Sequence, residues 1–169
     1  MKKMIIYNYN LKDLGNNNTF NNFYFIYIYY MLYHIDIDYG RINELIIFEK
    51  LKIFFKDHTL SELDYYNDFD YKNTDSTLLI ELKSRRCEYE TYTDTMINIS
   101  KLNKCKRYCR NKKIKMEIYF FFYFNKNDLY YWKYNEVDTL RYGTCSRVDR
   151  ENVAIKYAYI SKNLLTKVE

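Results

Sequence analysis

Residues 78–85 read Leu-Leu-Ile-Glu-Leu-Lys-Ser-Arg, so that Glu81, Leu82 and Lys83 form an acid, an apolar spacer and a lysine. The run has the composition of a strand, and alternation would place Glu81 and Lys83 on one face and Leu82 on the other. An acid and an amine that share a face can hold a divalent cation and a water beside a phosphate. The acid-x-lysine pattern also occurs at Asp70-Tyr71-Lys72, so the context of each match decides its meaning.

The segments on either side of this run predict one α/β domain. Helical spacing begins after Gly40, and residues 41–55 carry an apolar stripe of Ile42, Leu45, Phe48, Leu51 and Phe55. Short strands are expected at 60–63 and around 68–71, followed by a turn at 72–76 and a strand at 77–83. This order predicts a helix followed by three strands, and the third strand carries Glu81 and Lys83.

The second half of the chain predicts another helix and further strands. Residues 84–98 are polar and irregular, whereas residues 100–110 show helical spacing with Ser100 as the N-cap and with Leu102, Cys105 and Cys109 on a buried stripe. Strands are expected at 114–124, 129–134 and 153–160, the first two as a hairpin. A loop surrounds Gly143, and a short helical tail ends the chain.

The N-terminal part of the chain differs from the rest. Residues 1–22 read as a weakly ordered arm rich in asparagine, and residues 23–39 as strand-like. The uncharged run from Phe23 to Ile35 is shorter than the roughly 20 apolar residues that a membrane span needs. We therefore expect an N-terminal segment of uncertain role at 1–38, a domain at 39–169, and no membrane association.

Composition limits the classes of function. The net charge of +5 allows a polyanionic partner without requiring one. The excess of tyrosine, phenylalanine, isoleucine, asparagine and lysine is typical of an AT-rich genome such as that of a large DNA virus. Four cysteines without C-x2-C spacing argue against structural zinc, and they favour free thiols in a reducing, intracellular compartment.

A divalent metal site near Glu81 needs a second acid from a neighbouring strand. Asp70 lies across the 72–76 turn, which would fold its strand back beside Glu81. Asp68 points the same way by alternation and is the alternative ligand, whereas Asp75 fits the turn itself. The competing interpretation of Glu81 and Lys83 is an exposed ion pair on one face of a strand.

Glu44 is a further candidate, because it lies close to the apolar stripe of the first helix. A carboxylate there is costly unless it is paired, hydrogen-bonded or bound to a metal. The alternative is that Glu44 occupies the first helical turn, where the helix dipole favours an acid.

Basic and aromatic residues follow the lysine. Arg85 and Arg86 come directly after it, then Tyr92, and eight basic residues without an acid lie between Lys101 and Lys115. Such a run is often a solvated helix face, but beside a metal-site candidate it also suits contacts with a phosphate backbone.

Together these runs resemble the PD-(D/E)xK nuclease superfamily, and in particular its small members encoded by large DNA viruses. The resemblance covers residues 39–165 and is carried by residues 69–71, 78–85, 92–97 and 101. It implies a restriction-endonuclease-like core, in which a mixed central sheet is flanked by helices. The proline that gives the superfamily its name is absent before the aspartate, which keeps both Asp68 and Asp70 open as ligands.

The resemblance also implies a site. Glu44, Asp70, Glu81 and Lys83 would be catalytic, with Mg²⁺ (or Mn²⁺) held by Asp70, Glu81 and the backbone carbonyl of Leu82. The residues expected to contact nucleic acid are Arg85, Arg86, Tyr92, Lys101 and Lys104. The expected activity is metal-dependent hydrolysis of phosphodiester bonds, most simply in DNA, during repair, recombination or processing of a viral genome.

Two other functions are compatible with the same residues. One is a catalytically inactive nucleic-acid-binding protein on the same fold, and the other is a virion structural or assembly protein, with homodimerisation through the N-terminal segment. The expected location is intracellular, in the host cytoplasm, a viral factory or the nucleus, with packaging in the virion as an alternative.

Overall fold

A computed structural model describes residues 38–64, 66–110, 115–146 and 154–169, which belong to a compact unit, Asp38–Glu169. The N-terminal arm and the strands expected between Phe23 and Ile35 lie outside the described residues. Within the described ranges, no helix is both long enough and apolar enough to cross a membrane.

The described residues form two α-helices and nine strands. Helix α1 includes residues 38–55, and α2 is Ile99–Cys109. The strands are β1 (Ser61–Glu62), β2 (Tyr71–Lys72), β3 (Leu78–Ser84), β4 (Asp94–Asn98), β5 (Glu117–Tyr123), β6 (Leu129–Lys133), β7 (Arg141–Ser146), β8 (Ala154–Ser161) and β9 (Thr166–Lys167).

Six strands form a mixed central sheet in the order β1-β2-β3-β5-β6-β9. Strands β1, β2 and β3 form the expected antiparallel meander, and β3 then pairs in parallel with β5. The register places Glu81 opposite Phe120 and Lys83 opposite Phe122. The mixed α/β class with a mixed central sheet is therefore confirmed, as is the hairpin of β5 and β6.

A second, antiparallel sheet has the order β4-β8-β7, and two of its strands were not expected. The prediction of an irregular segment at 84–98 is wrong for β4, and the loop expected around Gly143 is part of β7. Both strands are short and polar, so they lack the run of β-branched or aromatic residues that marks a strand in sequence. The expected helical tail is a 3-10 turn, Lys162–Leu164, followed by β9.

The side chains of consecutive phenylalanines in β5 pack on opposite faces of the central sheet. Phe120 and Phe122 are fully buried with Leu102 and Cys105 of α2. Phe121 is fully buried in the other cluster, which includes Ile47 and Leu51 of α1. Strand alternation explains this division, and a strand that is apolar on both faces is typical of the centre of a sheet covered on both sides.

The expected boundary and buried face of α1 need correction. Gly40 lies inside the helix rather than before it, because the cost of about 1 kcal/mol for an interior glycine is readily outweighed by packing. Leu51 is fully buried and Phe55 partly so, as expected, but Ile42 is 57% exposed. One helical turn before Leu51, the fully buried residue is Ile47, which was not part of the expected stripe. Apolar residues occur on several faces of this helix, so spacing alone could not identify the buried one.

The turn between β2 and β3 is held by one side chain. The Asn73 carboxamide oxygen accepts hydrogen bonds from the backbone N–H groups of Thr77 and Leu78, at 2.9 and 3.0 Å. Ser76 adopts a positive φ of 52°, which closes the turn. This turn returns the chain so that Tyr71 pairs with Ile80, and it thereby places Asp70 beside Glu81.

The start of α2 yields a test of helix capping. Asn98, and not Ser100, is the N-cap, because its side-chain oxygen accepts a hydrogen bond of 2.8 Å from the Ser100 N–H. We expect Asn98→Ala to lower the free energy of unfolding by about 1 kcal/mol, measured by urea denaturation. Ser100→Ala is the matched control and should change it by less than about 0.5 kcal/mol. The reverse order of effects would contradict this assignment of the cap.

Candidate active site

A cleft of about 230 Å³ lies where β1, β2 and β3 meet the two helices. We call it the Glu81 cleft. Five residues selected from the sequence line it, namely Glu44, Asp70, Glu81, Lys83 and Lys101. These residues are separated by up to 57 positions in the chain, so their convergence is a property of the fold and not of local spacing.

Glu81 is the centre of the cleft. Its side chain is 0% exposed, although a buried carboxylate is costly unless it is paired. The ammonium of Lys101 contacts Oε2 at 2.7 Å, and the ammonium of Lys83 lies against Oε1. Apart from this contact with Lys83, Oε1 has no partner among the described residues.

Lys101 reaches Glu81 from the first turn of α2. Its ammonium also donates to the backbone carbonyl of Asp68 at 2.5 Å, and it lies 5.7 Å from the centre of the Phe69 ring. Lys101 therefore joins α2 to the segment before β2 as well as to β3. Because these partners hold the ammonium inside the cleft, Lys101 is not simply part of a solvated basic helix face.

Asp70 is held against the edge of β3. Its Oδ2 accepts a hydrogen bond of 2.7 Å from the Leu82 N–H, its own N–H donates to the Ile80 carbonyl, and its carbonyl accepts from Leu63. Burial, reinforced by the negative charge of Glu81, raises the pKa of Asp70 to about 6. Lys83 and the Leu82 N–H oppose this rise without cancelling it.

Asp68, the alternative ligand, lies elsewhere. Its carboxylate pairs with Lys104 and, at 2.8 Å, with Arg107, both on α2. The hydrogen bond from Lys104 holds the pKa of Asp68 below its usual range. Among the described residues, Asp70 and not Asp68 lines the Glu81 cleft.

Glu44 enters the cleft from α1. The Tyr71 hydroxyl donates a hydrogen bond of 3.0 Å to the Glu44 carbonyl oxygen and so ties the helix to β2. Burial raises the pKa of the Glu44 carboxyl, Lys83 opposes the rise, and Glu62 and Glu81 add to it. The alternative that Glu44 occupies the first helical turn is wrong, because α1 already includes residue 38. The Glu44 carboxyl shares the cleft with the other acids.

Lys83 is a cation in this setting. Burial alone would lower its pKa, but the carboxylates of Glu81 and Asp70 outweigh that effect and raise the pKa above its ordinary value. Lys83 is therefore protonated at neutral pH and acts as a positive charge rather than as a base. The interpretation of Glu81 and Lys83 as an exposed surface pair does not fit a fully buried Glu81.

The donor set of the cleft suits a partly hydrated Mg²⁺. Two desolvated carboxylates, Asp70 and Glu81, repel each other, and Lys83 is the one partner of the buried Glu81 Oε1 among the described residues. The Leu82 carbonyl leaves β3 on the same edge as the N–H that contacts Asp70, because both groups of a strand residue share an edge. No three His, Cys, Asp or Glu side chains in the described ranges could hold a metal ion. Mg²⁺ commonly uses only one or two carboxylates and keeps several waters.

Sequence reasoning missed two acids of the cleft. Glu62 and Asp64, at and after the end of β1, also line it. Both are exposed, and β1 has only two residues, so no periodic pattern drew attention to them. The one available signal was their place at and just after the end of the strand expected at 60–63.

The remaining residues selected for nucleic-acid contact lie outside the cleft. Arg85 is directed at β4, where it donates to Thr95 Oγ1 at 3.3 Å and to the Met96 carbonyl. Arg86 lies 4.8 Å from the ring centre of Tyr39 in α1, and Lys104 pairs with Asp68. Tyr92 is 65% exposed. The structure therefore does not bring these four residues together with the acids.

Comparisons of the chain with protein-family models, with curated proteins and with solved structures find no match. The resemblance to the PD-(D/E)xK nucleases consequently depends on the residues and their arrangement alone.

The raised pKa of Asp70 makes stability depend on pH. Between the ordinary pKa near 3.8 and about 6, the folded protein binds a proton that the unfolded chain does not, so stability falls as pH rises through this window. Asp70→Asn removes the titration. In EDTA, we expect the wild-type protein to lose up to about 3 kcal/mol relative to Asp70→Asn between pH 4 and 7, measured by urea unfolding.

The control for this measurement is Asp75→Asn, at an exposed position in the β2–β3 turn. Its stability should follow the wild-type curve at every pH. Parallel curves for wild type and Asp70→Asn would show that Asp70 is not desolvated in the folded protein.

Proposed function

We propose that this protein is a metal-dependent nuclease that hydrolyses phosphodiester bonds, with DNA as the substrate. The observation that carries the proposal is the buried Glu81 carboxylate, which shares a cleft with a desolvated aspartate and two lysines. A purely structural ion pair would not need a second acid, Asp70, whose pKa is raised by burial and further by the charge of Glu81. Buried acids with strongly perturbed pKa values in a cleft are more typical of functional sites.

Asp70, Glu81 and the Leu82 carbonyl are the proposed ligands of Mg²⁺, with Mn²⁺ as the alternative metal. When bound there, such an ion supplies Lewis-acid polarisation of a phosphoryl oxygen and lowers the pKa of a bound water. The protein's own contribution is to orient both carboxylates. The Leu82 N–H does this for Asp70, and Lys101 does it for Glu81.

Lys83 is proposed to offset the negative charge that develops on the phosphate during hydrolysis. Its raised pKa keeps the ammonium protonated, and its side chain is partly exposed to the cleft, so it can face both Glu81 and a bound phosphate. A preorganised cation in a desolvated site is among the stronger contributions to transition-state stabilisation.

Glu44 is proposed to accept a hydrogen bond from the attacking water and so to orient it. Its carboxyl faces Lys83 and Glu81, and its raised pKa brings proton acceptance closer to neutral pH. The backbone of Glu44 is anchored by Tyr71, which fixes the helix that presents the carboxyl.

A basic surface beside the cleft could receive the substrate backbone. Lys106, Arg107 and Arg110 line one surface of α2 together with Asn103. With a net charge of +5, the chain has the cations needed for phosphate contacts. Processing, repair or recombination of viral DNA within an infected cell is the biological setting that this proposal favours.

One observation favours the alternative of a non-catalytic nucleic-acid-binding protein. Lys83 and Lys101 together already balance the charge of Glu81 without a metal. In that case the cleft would be a stabilising network, and nucleic acid would bind to the basic surface of α2 alone.

The decisive experiment is nicking of supercoiled plasmid with Mg²⁺, compared among wild type, Lys83→Ala and Lys133→Ala. Lys133 is the matched control, because it pairs with Glu117 at 2.7 Å on the far side of β5 and lies outside the cleft. We expect EDTA to abolish cleavage, Lys133→Ala to cleave like wild type, and Lys83→Ala to lose at least roughly 100-fold in rate.

Equal cleavage by wild type and Lys83→Ala would contradict the proposed function. Retained plasmid binding with no cleavage in Mg²⁺ or Mn²⁺, and with no effect of EDTA, would support the non-catalytic alternative instead.

A further inference from the structure

A second cavity, of about 240 Å³, lies between the end of the central sheet and the β4-β8-β7 sheet. We call it the Arg85 cavity. It is lined by Arg85 and Phe124 at the ends of β3 and β5, by Tyr92 before β4, and by Asp94 and Tyr159 from the smaller sheet. Its volume is slightly below the range of pockets for drug-sized ligands, which suits a single planar ring system.

Arg85 provides a half-buried cation without a counter-ion among the described residues. Its Nε and Nη2 groups bond to Thr95 and to the Met96 carbonyl, and no carboxylate of the described residues forms an ion pair with it. Burial lowers the pKa of its guanidinium without removing the charge. A desolvated cation that meets only neutral acceptors is costly, and a ligand that offers acceptors to it would offset that cost.

The Nη1 group of Arg85 makes no hydrogen bond to a described residue, since the bonds of the guanidinium come from Nε and Nη2. Within the described residues, the only buried side-chain polar atoms without hydrogen bonds are Nδ2 of Asn43 and Oε1 of Glu81, so Nη1 is not fully buried. Arg85 lines the cavity, which makes Nη1 its donor group for a ligand there. Two N–H donors of Nη1 are therefore available to a ligand.

Tyr92 offers an aromatic surface at the mouth of the cavity. It is 65% exposed, and no ring or hydrogen-bond contact with another described residue occupies it. The other two tyrosines that line the cavity already contact neighbouring side chains. The Tyr89 ring stacks on the Tyr130 ring with their centres 3.8 Å apart, and the Arg141 guanidinium carbon lies 3.8 Å from the centre of the Tyr159 ring. An exposed tyrosine beside a cavity is a typical platform on which a nucleobase stacks.

Asp94 supplies acceptors to the same cavity. Its Oδ2 pairs with Arg141 at 2.7 Å, which leaves Oδ1 to accept from a ligand. A ligand must therefore present acceptors to Arg85 and donors to Asp94. Guanine presents two adjacent acceptors, O6 and N7, on one edge and its N–H donors on a different edge, whereas adenine places a donor beside N7.

We propose that the Arg85 cavity binds one unpaired guanine base, stacked on Tyr92, hydrogen-bonded by Arg85 and Asp94. The ligand is a single-stranded or locally unpaired nucleic acid, and the proposal rests on the proposed function only in taking nucleic acid as the partner. It does not require cleavage.

The position of the cavity relative to the Glu81 cleft supports this ligand. Lys83 and Arg85 lie on the same face of β3 and its extension, two residues and about 6.6 Å apart along the strand. A phosphate at Lys83 and a base at Arg85 could therefore belong to neighbouring nucleotides of one strand.

The test is binding of fluorescein-labelled nonamers of thymidine with a central dG, dA or dT, followed by anisotropy in EDTA so that nothing is cleaved. Wild type should bind the dG nonamer about tenfold more tightly than the others. Tyr92→Ala should weaken binding of every nonamer, and Asp94→Asn should remove the preference for dG. Tyr142→Ala is the matched control, because Tyr142 is 55% exposed on β7 but does not line the cavity.

Equal affinity for the three nonamers, or equal losses in Tyr92→Ala and Tyr142→Ala, would overturn the proposal. This outcome is separable from failure of the nuclease proposal. A dG preference without any Mg²⁺-dependent cleavage would leave the cavity proposal standing, whereas cleavage without a base preference would leave only the nuclease proposal.

Discussion

The architecture of this protein depends on one buried charge, the carboxylate of Glu81. Its side chain is fully enclosed in the middle of a sheet whose neighbouring residues are apolar, and an unpaired ion there would cost several kcal/mol. Lys83 from the same strand and Lys101 from α2 supply the compensation. Because Lys101 also bonds to the carbonyl before β2, one carboxylate ties together β3, α2 and the β1–β2 region.

The fold brings these groups together by simple means. A turn held by Asn73 returns β2 against β3, and alternation along β3 directs Glu81 and Lys83 to the face that α2 covers. Helix α1 covers the other face, and its Glu44 side chain lies at the open edge of the sheet beside the short strand β2. Short strands lie at this edge of the cleft, and the long strand β3 contributes Glu81 and Lys83 to its lining.

Sequence reasoning succeeded where one physical signal dominated. The apolar runs of β3 and β5, the turn between β2 and β3, and the helical stripe of Leu102 and Cys105 are present as expected. It failed where signals were weak or degenerate, as for the polar strand β4 and the many-sided apolar helix α1. The choice between Asp68 and Asp70 could not be made from alternation, since both point the same way in an ideal strand. The structure pairs Asp68 with Lys104 and Arg107 of α2 and places Asp70 in the Glu81 cleft, a difference that depends on tertiary packing.

The central claim is that Asp70 and Glu81 form a metal site, and Mn²⁺ binding measured by electron paramagnetic resonance tests it most directly. The account predicts one Mn²⁺ per chain at pH 7.5, displaced by Mg²⁺, weakened below pH 6 as Asp70 takes up a proton, and lost in Asp70→Asn. Asp75→Asn should bind as wild type does. No bound Mn²⁺, or equal binding by wild type and Asp70→Asn, would contradict the account.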